Sequence, residues 1–114
     1  MAAAPIPAGY HSVTPYLVLR DAAAAMEFYK KAFGATELYR LAGPDGKVAH
    51  GEIRIGDSPV MLGEEMEGYQ GPQALGGTPV SLMIYVPDVD RMFAQALAAG
   101  AKEQRPVADQ FYGD

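Results

Sequence analysis

Residues 13–34, VTPYLVLRDAAAAMEFYKKAFG, decide the fold. They read as a strand, a hinge and a helix. Residues 15–19 are bulky and apolar, with Tyr16, Leu17, Val18 and Leu19 in a row, which suits a strand covered on both faces. Asp21 is placed to cap the helix, because its carboxylate can accept from free N–H groups of the first turn. Met26, Tyr29 and Phe33 share one helical face, and Ala22, Ala25 and Ala32 widen that stripe. Glu27 and Lys31 lie one turn apart on the other side, in the favourable order. Gly34 ends the helix, since glycine takes the left-handed C′ conformation without steric cost.

The same unit returns. Residues 79–86 have the character of the first strand, Asp88 is a second N-cap, and Val89, Met92, Phe93, Ala96 and Leu97 form a second stripe. Gly100-Ala101 repeats Gly34-Ala35. One repetition does not make a solenoid. It implies two small modules, neither able to bury its sheet face alone.

The totals fit one domain or two half-domains. The chain has 114 residues, 49% hydrophobic and 20% charged, which is ordinary for a globular protein. A net charge of −5 argues against nucleic-acid partners, which need clustered Lys and Arg. No apolar run is long enough to span a bilayer. The opening MAAAPIPAG lacks the basic start and apolar core of a signal peptide, so a cytoplasmic location is the expectation. The absence of cysteine excludes disulfides, thiolate metal sites and a cysteine nucleophile.

Residues 1–12 read as a flexible arm, 13–64 as the first module, 65–78 as a glycine-rich linker and 79–114 as the second module. After the first helix, residues 36–41 suggest a strand. Gly43-Pro44-Asp45-Gly46 is a turn, residues 48–55 alternate, Gly56-Asp57 turns again, and residues 59–62 make a short strand. Residues 103–108 suggest a strand of the second module. The sequence then ends before that module's last two strands, which implies a longer natural chain or strands supplied by another chain.

Doubled β-α-β-β-β units resemble the vicinal oxygen chelate superfamily of glyoxalase I, bleomycin-resistance proteins and extradiol dioxygenases. The segments VTPYLVLRDAAAAMEFYKKAFGA, DGKVAHGEIRIGDSPVML and VSLMIYVPDVDRMFAQALAAGA resemble its PhnB-like branch most. The resemblance implies an α+β fold: paired βαβββ modules in a cupped mixed sheet with helices on the convex face, the second module incomplete at its C-terminus. It also implies a small-molecule cavity on the concave side. The strand positions that carry metal ligands in metal-dependent members fall here on Thr14, Met61 and Ser81. None is a residue that divalent transition metals favour. A fourth ligand would lie in the missing hairpin.

Side chains alternate along a strand. If Thr14 and Ser81 face the cavity, Tyr16, Val18, Met83 and Tyr85 do too, while Leu17, Leu19, Leu82, Ile84, Val86, Ile53 and Ile55 face the helices. His50, Glu52 and Arg54 then form a polar strip beside greasy walls, the usual make-up of a small-ligand pocket. The same three residues also suit the wet face of an open sheet.

Three functions follow as expectations. The first is a metal-free small-molecule binder whose pocket is lined by Tyr16, His50, Glu52, Arg54, Met61, Met83 and Tyr85. Its aromatic rings would stack on a flat ligand and Arg54 would hold an anionic or carbonyl group. The second is a metal-dependent lyase, isomerase or dioxygenase acting on vicinal oxygens, with a divalent metal held by His50 or Glu52 and a carboxylate from the absent hairpin. The third is metal-free acid–base chemistry with Glu52 as base and His50 as partner. No dinucleotide or methyl-donor fingerprint is present. Uncovered strand surface and half a module predict a homodimer with exchanged modules.

Overall fold

The computed structural model describes residues 4–109 and Phe111. Its elements are β1 (Tyr16–Leu19), α1 (Ala22–Phe33), β2 (Thr36–Ala42), β3 (Val48–Ile55), β4 (Ser58–Glu64), α2 (Pro72–Leu75) and α3 (Val89–Ala98). The strands form one open mixed sheet in the order β1-β4-β3-β2. β2, β3 and β4 are antiparallel, as two tight turns require. β1 joins β4 in parallel, with α1 as part of the crossover.

The β1–α1 hinge is built as its residues suggest. Asp21 sits at φ 62° and its carboxylate accepts from the Ala24 N–H. Gly34, at φ 67°, closes the helix by donating to the Lys30 carbonyl. A second carboxylate reinforces the start: Glu64, at the end of β4, accepts from the N–H groups of Asp21 and Ala22, each at 2.8 Å. These are amides that a helix start leaves unpaired, and a negative charge is favourable there.

The core lies between α1 and the sheet. Met26, Ile53 and Leu62 are its largest fully buried side chains, ringed by Ala22, Val48, Ile55 and Val60. Leu17, Leu19, Tyr29, Phe33 and Ile84 pack on its margin. Gly51 lies directly under Met26; a Cβ there would stand 2.8 Å from the Met26 sulfur. α3 rests beside α1, where the Gln95 side chain donates to the Lys31 carbonyl.

Several expectations are corrected. Residues 79–86 and 103–108 form no strand among the described residues. A strand needs a neighbour to complete its ladder, and the four strands of the sheet pair only with one another. Leu82, Met83 and Tyr85 remain exposed (43%, 75% and 77%). Glu27 pairs with Lys30 and Arg40 instead of Lys31, because Lys30 also reaches Glu37 of β2 and draws the group together. Within the glycine-rich stretch, Met66 and Tyr69 form a β-bridge and Gly71 opens α2. Before β1, the Tyr10 N–H donates to the Pro7 carbonyl around Gly9 at φ 83°, a tight turn.

Candidate functional site

The sheet face away from α1 carries the polar strip. Register places Tyr16, Met61 and Glu52 in one row across β1, β4 and β3. Val18 and Gly63 pair in the adjoining row. With only hydrogen at position 63, the Tyr16 ring slants across β4 and its hydroxyl meets His50 Nδ1 at 3.2 Å. A Cβ on Gly63 would lie 3.0 Å from that hydroxyl and 2.7 Å from the Ala49 carbonyl oxygen.

His50 Nε2 contacts Glu52 Oε2 at 2.8 Å. The other Glu52 oxygen, Oε1, accepts from the Tyr10 hydroxyl. A neutral imidazole with its proton on Nε2 satisfies both ring contacts: Nε2 donates to Glu52 and Nδ1 accepts from Tyr16. The result is a chain of four side chains, phenol–imidazole–carboxylate–phenol. Its central pair is largely covered, with His50 27% and Glu52 18% exposed. The Tyr16 and Tyr39 rings flank His50 at centroid distances of 5.5 and 6.2 Å.

Beside this chain lies a cleft of about 570 Å³ lined by Tyr16, Val18, Ala49, Glu64, Met66 and Tyr69. Two phenols, a thioether and a valine give it flat, greasy walls. The loop that supplies Met66 and Tyr69 is tied to β1. Glu65 accepts from the Gly71 N–H and pairs with Arg20 at 3.0 Å, and Gly71 comes so near Val18 that a Cβ would lie 2.7 Å from its carbonyl oxygen. The Gly71 hydrogen bond, then Arg20, hold the Glu65 carboxyl below its ordinary value of 4.5. A depressed carboxyl contributes stability above the unfolded value, and that contribution is lost as pH falls. We therefore expect the Gly71 amide resonance to titrate with a midpoint below 4.5; a midpoint at or above it would contradict the contact.

Not every expected site residue joins this face. Tyr16, His50, Glu52 and Met61 come together there. Arg54 is exposed one residue pair further on, beside Thr36 and Pro59. Met83 and Tyr85 do not share the cavity. They line a separate groove of about 850 Å³ near the β3–β4 turn, with His11, Val13, Pro59 and Met92. Thr14 is half-buried, and Ser81 is exposed within residues 79–86, which form no strand. Tyr10, Met66 and Tyr69 were absent from the sequence-derived set. They sit in segments without periodicity, and nothing in their spacing marks them. Tyr39 was legible in principle, since it alternates outward on β2 opposite Glu52.

The family model of the Glyoxalase/Bleomycin resistance protein/Dioxygenase superfamily matches residues 9–114. The chain belongs to this superfamily. Uncharacterised proteins of Mycobacterium bovis and Mycobacterium tuberculosis are each 45% identical to it over 108 residues, 90% of this chain. The chain spans 71% of the length of the first and 64% of the second. Among solved structures, TioX from Micromonospora sp. ML1 superposes with a TM-score of 0.69 at 28% identity, covering 90% of this chain and 81% of that one. The α+β fold with an open four-stranded mixed sheet is thus the glyoxalase/bleomycin-resistance fold. Metal-dependent chemistry in such a fold needs three or four converging donors. Among the described residues no three His, Asp or Glu side chains converge. His50 and Glu52 supply two at most, and each contacts the other. No described helix is long and apolar enough to cross a membrane.

Proposed function

We propose that this glyoxalase/bleomycin-resistance-like chain binds a small, flat organic molecule on its open sheet face without a metal. The observation that carries this reading is the Tyr16–His50–Glu52 chain at the edge of the cleft formed with Val18, Met66 and Tyr69. Apolar walls with a few convergent polar groups are what small-ligand sites share. Aromatic rings supply contact area, and the imidazole–carboxylate pair fixes orientation. The test is a thermal-shift screen of aromatic compounds, since a ligand that binds only the folded state raises its melting temperature. His50→Ala is expected to weaken the best ligand about tenfold, the scale of a lost hydrogen bond to a charged or buried group. A ligand indifferent to His50, or a stoichiometric transition metal in protein purified without added metal, would remove this reading.

The 2.8 Å His50–Glu52 contact favours one second reading, metal-free acid–base catalysis with Glu52 as base and His50 as its partner. Turnover lost in Glu52→Gln with ligand affinity retained would select it. Against a metal-dependent lyase, isomerase or dioxygenase stand Thr14, Met61 and Ser81 at the positions where the family's ligands fall. Membership of the PhnB-like branch and a cytoplasmic location accompany the proposal. So does a homodimer: the exposed apolar stretch at Val80, Leu82, Met83 and Tyr85 supports pairing with a second copy. Light scattering that gives a stable monomer would count against it.

A further inference from the structure

Tyr10 is the one member of the phenol–imidazole–carboxylate–phenol chain that no strand or helix holds. Tyr16 comes from β1, and His50 and Glu52 come from β3. Tyr10 comes from the arm, presented by the Pro7–Tyr10 turn with Gly9 at φ 83°. Nothing lies within 4 Å of where a Gly9 Cβ would be, so the glycine serves the backbone conformation alone. A purpose-built turn thus delivers a phenol hydroxyl to a carboxylate oxygen that would otherwise have an acceptor position to fill. The opposite end of the chain is filled in the same way, by the hydroxyl of Tyr16 on His50 Nδ1.

We propose that Tyr10 is an internal stand-in for the ligand: the site takes a hydroxyaryl compound whose O–H replaces that of Tyr10 on Glu52, and the arm is a strap that the ligand displaces. The inference rests on the reading of the open face as a small-molecule site and names its ligand class. The chemistry is a like-for-like exchange. A carboxylate that accepts from a phenol accepts equally from another phenol, while an aryl ether has no proton to offer. An alcohol lacks the ring that would lie over Met61 and against Tyr16, the neighbours of Glu52 in its row. Because strap and ligand compete for one oxygen, the closed strap lowers apparent affinity by the fraction of molecules left open.

The probe is 2-naphthol, with 2-methoxynaphthalene as its control, titrated by fluorescence against the full chain, which contains no tryptophan. Tyr10→Phe keeps the ring and removes the competing hydroxyl. It is expected to tighten 2-naphthol about tenfold, the ratio that goes with losing one charge-assisted hydrogen bond, and the ether by a similar factor, since every ligand that displaces the strap gains when it opens. Gly9→Val keeps Tyr10 but cannot hold the turn at positive φ, and is expected to shift affinity in the same direction. Glu52→Gln, whose amide oxygen is a weaker acceptor than a carboxylate, should shrink the preference for the naphthol over its ether, and Glu52→Leu should erase it. No gain for 2-naphthol in either arm variant overturns the strap. If the aromatic screen yields a ligand weakened by His50→Ala while 2-naphthol shows no preference over its ether, the hydroxyaryl class falls and the small-molecule reading stands. If no ligand of any class responds to His50→Ala, both fall.

Discussion

A valine at position 63 is expected to disable the candidate site and cost about 1–3 kcal/mol of stability, the usual penalty for forcing atoms into filled space. The reason is the crossing of the Tyr16 ring over β4. Even the first added carbon would stand 2.7 Å from the Ala49 carbonyl oxygen, a backbone atom that cannot swing aside, and 3.0 Å from the Tyr16 hydroxyl. The ring must lift, and the hydrogen bond to His50 Nδ1 goes with it. Urea unfolding measures the first loss, and titration of an aromatic ligand identified by thermal shift measures the second, expected at tenfold or more. Gly71→Ala is the matched comparison. It creates a similar 2.7 Å conflict with the Val18 carbonyl oxygen but leaves the Tyr16–His50 contact alone. Its stability should fall while ligand orientation through His50 is kept. Equal affinity losses in both variants would mean that general loosening, and not the Tyr16 crossing, governs the site.

Met26→Ala carries the largest expected stability loss, about 2–5 kcal/mol, the range for truncating a buried methionine to alanine. The side chain is fully buried, and its sulfur sits over the bare backbone of Gly51. Removing it opens a void that α1 and β3, held by their own ladders, cannot close. The pairing of large with absent side chains also predicts the sign of a coupling. Gly51→Ala alone should destabilise, because its Cβ would lie 2.8 Å from the Met26 sulfur. In the Met26→Ala background the same methyl group meets only the Val48 side chain, at 3.3 Å, and should cost less or even stabilise. A double-mutant cycle by urea unfolding reads this directly. Strict additivity would show that the two positions do not share the space the structure assigns them.

The parts of this fold that local chemistry specifies are legible in the sequence. Asp21 and Gly34 announce the two ends of α1 because capping chemistry is read within one turn. Gly43-Pro44-Asp45-Gly46 and Gly56-Asp57 mark the hairpins because glycine and proline act on their own residues. Alternation alone turns Ile53 and Ile55 to the helix and His50 and Glu52 to the open face. Whatever depends on a distant partner was less legible. Extending that alternation to residues 79–86 sets Met83 and Tyr85 in the cavity, but alternation has meaning only once a ladder fixes a face. Tyr10 lies far from Glu52 in sequence and belongs to a segment with no period, so its contact is a product of tertiary structure. Met66 and Tyr69 reach the cleft because Glu65 and Gly71 fold their loop against β1, and two lone polar contacts leave no repeating signature.

Glu64 has a consequence of its own. Its side chain forms part of the cleft wall, and both of its oxygens are committed to the first amides of α1. Whatever enters the cleft and draws that carboxylate outward must unclasp the mouth of the helix. Such an occupant would fray the helix on the sheet's opposite side, where the exchange rates of the Asp21 and Ala22 amides would register it.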